Sequence, residues 1–183
     1  MPKLTVKQQK LLKAFHLISV AVWFTSVITM SAITTLADGL EDGGAFAMVH
    51  QIYHFVDFKL LTPAAVLTLL TGLVYSMFTR WGFFKHGWLI YKWIITVGII
   101  VWGTVHLGPM CTEIMETTAR LQLGALNDPN YLAHWRLGFW AGISNAVLLF
   151  GAVIVSTLKP WKNIRKNKTA ARLGSPRNGF TPE

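Results

Sequence analysis

The residues most able to do chemistry lie between positions 45 and 59, where His50, Tyr53, His54 and Asp57 crowd beside an apolar run. Positions i and i+4 share a helical face, so a helix here would stack His50 over His54 and keep Asp57 near them. Ionisable groups at membrane depth are costly, and a cluster of them is a functional hypothesis by default. Two more histidines belong to the same level: His106 at the end of one apolar run and His134 at the start of another. Histidines on facing helices of a bundle are a common way to hold haem or a metal. The expectation is therefore a b-type haem with His54 and His106 as axial ligands, and His50 and His134 as alternates or a second pair. Trp135, with Phe55, Phe58, Trp102, Phe139 and Trp140, would line the slot. Arg136, Lys59, Arg120 and Tyr53 are placed to meet propionates. Asp57 would orient an imidazole or relay a proton, which makes Asp57 and Tyr53 the candidate catalytic pair.

Copper is the rival cofactor. Met48, Met110, Cys111 and Met115 fall at the level of the histidines, and soft sulfur with imidazole suits copper. No Met-x-Met or Cys-x-x-Cys spacing accompanies them. The simpler reading of a lone interfacial histidine is an amphipathic boundary residue. It applies to His86 as a loop residue and to His16 as a packed or snorkelling one, with His16 an alternate ligand only if a partner reaches it. Trp23, Trp102 and Trp140 read as helix packing, and Cys111 as an unpaired thiol. Four histidines on three helices, among charges of both signs, favour a cofactor over coincidence.

These groups must be positioned by membrane helices. The 183-residue chain is 52% hydrophobic and only 14% charged, too little charge to cover a soluble domain. Four apolar runs, residues 14–36, 60–79, 89–111 and 137–158, each come close to the roughly 20 residues that cross a hydrocarbon core. The predicted fold is all-α: a four-transmembrane-helix bundle over residues 1–161, its second helix extended outward from about residue 45. Residues 162–183 are basic and poor in apolar side chains, which predicts a disordered tail.

The net charge of +9 is a topology signal. Fourteen of the seventeen Lys and Arg fall in the N-terminus, the 80–92 loop and the tail, whereas seven of the eight acids fall on the opposite side. The positive-inside rule then predicts an N-in, C-in orientation with both termini cytoplasmic. Lipid, including anionic lipid, is the expected neighbour, and nucleic-acid binding is not expected. Local punctuation fits this plan. Thr5 can cap a first helix from about residue 6, Pro63 should kink the second helix, and Gly108-Pro109 reads as a helix stop. Residues 112–123 form a short helix or continue the third, and Asn127-Asp128-Pro129-Asn130 is a turn.

His16-Leu-Ile-Ser-Val-Ala-Val-Trp23 in the first span resembles the opening of CopD-like membrane proteins, which pair an early histidine with a tryptophan. Phe24-Thr25 stands here where small glycines commonly follow in those sequences. The histidine-bearing four-helix plan is also similar to small bacterial b-type cytochromes of the cytochrome b561 kind. That resemblance implies a bacterial inner-membrane protein passing single electrons, with quinone or quinol as a partner. Two stacked haems would need paired histidines at both faces. The inner face offers only His16 and His86, so one haem near the outer face is implied. The other function classes are copper handling or transport, and a cofactor-free structural subunit. Partners would then be further membrane subunits or other copies of the chain.

Overall fold

The computed structural model describes residues 4–78 and 86–159, all helices and short connections among them. Among the described residues four helices are long and apolar enough to cross a membrane: Val6–Ala37, Gly43–Phe78, Gly87–Asn127 and Pro129–Leu158. An even number of spans brings both ends of the bundle's chain to one side. We refer to that side as the basic end, and to the side holding the 38–42 and 128 connections as the acidic end. The basic tail at 162–183 and residues 80–85 of the 80–92 loop lie outside the described residues.

Local chemistry sets the helix ends. Helix α1 (Val6–Ala37) opens with a capping box: the Thr5 hydroxyl accepts from Gln8 N–H and the Gln8 side chain accepts from Thr5 N–H, satisfying two otherwise orphaned donors. Asp42 caps α2 (Gly43–Val56) by accepting from Ala45 N–H at 2.6 Å. Asp128 caps α6 (Pro129–Leu158), with Pro129 at its first turn, where a missing N–H costs nothing.

The second and third spans each contain one turn of π-helix, Asp57–Leu61 before α3 (Thr62–Phe78) and Gly103–Leu107 between α4 (Gly87–Trp102) and α5 (Gly108–Leu121). Both are followed by one residue and then a proline, Pro63 or Pro109. A proline ring collides with the carbonyl four residues back. Widening the turn relieves this: Thr62 N–H donates to Asp57 O and Gly108 N–H to Gly103 O, five residues back in each case. Gly108-Pro109 is therefore not a stop. The third helix runs through it, and α5 ends only at Gln122, whose φ of 50° breaks the helix before the 3₁₀ segment Gln122–Asn127.

Two buried clusters hold the bundle. At mid-depth Trp23, Val27, Ala64, Ala65, Ile99 and Leu149 pack together, the alanines allowing α1 and α3 to approach closely. At the acidic end Phe46, Tyr53, Ile114, Cys111, Tyr131 and Trp135 form the larger cluster. Large apolar side chains such as Leu17, Leu70, Ile94 and Phe150 stay exposed. That is the arrangement a lipid-facing surface requires, since acyl chains are as apolar as leucine.

Candidate functional site

The two π turns and the middle of α1 and α6 surround a cavity of about 450 Å³. Its wall is mostly apolar, interrupted by Tyr53, Asp57, Thr112, Asn145 and Ser31. Asp57, the first residue of its π turn, is half-buried, and Tyr53, one turn before it, is buried. Both candidate catalytic residues thus line one chamber. Trp23 lines the same chamber with 1% of its surface exposed. Its indole Nε1–H is buried and meets no hydrogen-bond acceptor among the described residues. Donors left so cost about 1–3 kcal/mol.

Glycines keep the chamber open on the α6 side. A Cβ at Gly142 would stand 2.9 Å from Ser31 Oγ, and one at Gly138 3.5 Å from the Tyr53 hydroxyl. Ser31 Oγ itself donates to Val27 O at 3.0 Å, so the contact between α1 and α6 is tight there.

The four outer histidines go to four different surroundings. His50 is fully buried and engaged at both ring nitrogens. Nδ1 is 2.8 Å from Phe46 O, a carbonyl that can only accept, so Nδ1 carries the proton. Nε2 therefore accepts from the Tyr131 hydroxyl at 3.0 Å. The Trp135 ring lies 4.6 Å from His50, and Trp135 Nε1–H donates to Asp38 at 3.2 Å. His50 and Trp135 thus knit α2, α6 and the α1–α2 connection together at the acidic end. His54, half-buried, pairs its Nε2 with Thr112 Oγ1 at 3.3 Å and stacks on Phe58. His106 is exposed and lies against Trp102, ring centres 4.2 Å apart. His134 sits 3.6 Å from Glu113, and Arg136 beside it is exposed.

A haem iron between His54 and His106 needs both imidazoles to face one slot. Neither lines the cavity: one is bound across the α2–α5 seam, and the other is on the outer surface of its helix. These residues do not fit a haem held in this arrangement. The sulfur set is equally scattered, with Met48 exposed while Met110 and Cys111 are buried. Among the described residues no three His, Cys, Asp or Glu side chains converge as a metal site.

Of the residues that line the chamber, the sequence singled out Tyr53 and Asp57, read Trp23 as packing, which it does in the mid-depth cluster, and gave no role to Asn145. Asn145 had a legible signal, being the one amide in the apolar run 137–158. Nothing in the pattern distinguishes Trp23 from a packing residue.

At the other end, His16 does have partners. Its Nδ1 is 2.9 Å from Thr71 Oγ1, and its Nε2 is 3.4 Å from Lys92 Nζ. His86 contacts Trp88, their ring centres 6.1 Å apart.

No curated protein and no solved structure matches the chain. A family model does, over residues 10–160: that of DUF2269, described as a predicted integral membrane protein. It is neither a CopD-like nor a cytochrome b561 model. A match over most of the four-helix bundle is what membership requires, and the chain belongs to the DUF2269 family of integral membrane proteins.

Proposed function

We propose that this protein binds a lipid-soluble ligand with a hydrogen-bonding polar ring, of the quinone class, in the cavity between its π turns. The observation that carries this reading is the Trp23 indole N–H, buried without an acceptor on the wall of a largely apolar chamber. A ring carbonyl oxygen would satisfy that donor, and the ring's apolar body would fill the rest. Tyr53 and Asp57 supply a phenol and a carboxyl to the same lining, suited to hydrogen-bond the second ring oxygen and exchange a proton with it. Electrons for any redox step would come from outside the described residues. The orientation favoured by charge puts this chamber toward the outer side of the membrane, with cytoplasmic termini.

The test is to purify the protein from its native membrane, extract it with organic solvent, and record oxidised and reduced ultraviolet spectra. A quinone-type band that bleaches on reduction, present in wild type and depleted in Trp23→Phe, is the expected result. A visible spectrum of the same sample examines the haem alternative. A Soret band that disappears in His54→Ala and His106→Ala would replace the ligand-binding reading with electron transfer through haem.

A further inference from the structure

A second cavity, of about 270 Å³, opens at the basic end. Each helix gives it one stripe at helical spacing: Lys13 and His16 from α1, Thr68 and Gly72 from α3, Lys92 and Thr96 from α4, Ser156 and Lys159 from α6 and its cap. Among the described residues three ammonium groups line it and no carboxylate does. Every Asp and Glu among the described residues belongs to the other half of the bundle.

The polar groups in this chamber are arranged in one direction. Lys92 can only donate, so its 3.4 Å contact requires a lone pair on His16 Nε2. Nδ1–H then donates to Thr71 Oγ1, and Thr71 passes its own proton to Leu67 O at 2.6 Å. The imidazole is thus held neutral, with its whole donor capacity used. Lys92 keeps further N–H bonds to give. Thr68 adds an independent sign. Its hydroxyl is buried, with the residue 3% exposed, and finds no partner among the described residues. An unpartnered buried donor on the lining of a cation-rich chamber suits an anion with several acceptor oxygens.

We infer that this chamber binds a phosphate group, with Lys92 and the Thr68 hydroxyl as its inner contacts and Lys13 and Lys159 at the rim. The apolar part of the wall, Leu17, Leu69, Leu89 and Trp93, gives an acyl chain a place to lie, so the phosphate is that of an anionic phospholipid from the adjoining leaflet. This site is separate from the chamber at the acidic end and does not depend on what binds there.

The experiment uses the delipidated full chain in neutral detergent. Phosphatidylglycerol, phosphatidylcholine and inorganic phosphate are each titrated in, with native mass spectrometry reading adducts and thermal unfolding reading the shift. Phosphatidylglycerol should bind saturably and at least about tenfold more tightly than phosphatidylcholine. Lys92→Gln should remove that preference about tenfold and Lys92→Arg should keep it, because a charge-assisted bond to phosphate is what is lost or kept. Lys7→Gln, an exposed cation outside the chamber, should change nothing. Thr68→Val should weaken binding severalfold, and it carries the test if Lys92→Gln does not fold. Competition by inorganic phosphate would assign the recognition to the phosphate itself, and its failure to compete would assign the site to the whole lipid; both support the inference. Equal binding of the two lipids, no binding of either phosphate source, or wild-type behaviour in both Lys92→Gln and Thr68→Val would overturn it.

Discussion

His50 is the most exacting point at which to perturb this molecule, because it separates a structural histidine from a cofactor ligand. Its Nε2 accepts from Tyr131 at 3.0 Å, in a cluster where His50 is 1% and Tyr131 2% exposed. His50→Phe keeps a ring against Phe46 and Trp135 but strands the Tyr131 hydroxyl, at a cost of about 1–3 kcal/mol. Tyr131→Phe strands the imidazole nitrogen, at a similar cost. The double variant removes both polar partners from one apolar cluster, so it should cost less than the two single variants together. A coupling of about 1 kcal/mol is expected for groups in direct contact. The assay is reversible unfolding in mixed micelles with increasing denaturing detergent, followed by circular dichroism. Additive single effects, or a His50→Phe cost below about 0.5 kcal/mol, the range of a neutral surface change, would refute the structural role.

Other perturbations follow from the same geometry. Gly142→Leu places a Cβ 2.9 Å from Ser31 Oγ and pushes a side chain into the cavity; it should abolish ligand binding and cost about 1–3 kcal/mol by overpacking, read by titration and by the same unfolding assay. Asp128→Ala removes the acceptor for Asn130 N–H at 2.8 Å and should lower stability by about 1 kcal/mol. His106→Ala, on an exposed surface, should shift stability by no more than about 0.5 kcal/mol and leave the visible spectrum unchanged.

The number of spans, the cap at Thr5 and the segregation of charge were all legible in the chain, because each depends on neighbours in sequence; Asp128 read only as part of a turn, whereas it caps the last helix. The direction of each histidine was not. His50 and His54 are one turn apart, yet four residues at about 100° each leave them some 40° out of line. At the edge of a bundle that offset sends His50 into the core and His54 to the α5 seam. The π turns were hidden for a related reason. Pro63 read as a kink and Gly108-Pro109 as a stop, but a helix in lipid has no solvent to satisfy released carbonyls. It therefore widens by one residue and continues. That widening shapes the cavity wall around Asp57 and Gly103, a tertiary outcome with no local signature beyond the prolines themselves.

The central claim is that the unpartnered Trp23 N–H marks a ligand site, and calorimetric titration of a short-tailed quinone into the purified protein and its Trp23→Phe variant tests it most directly. Losing one buried hydrogen bond should weaken binding by about tenfold, while in the ligand-free protein relief of the unpaired donor is set against the void left by the smaller ring, so stability should change far less than binding. Equal affinity in both proteins, or no saturable binding in either, would contradict it.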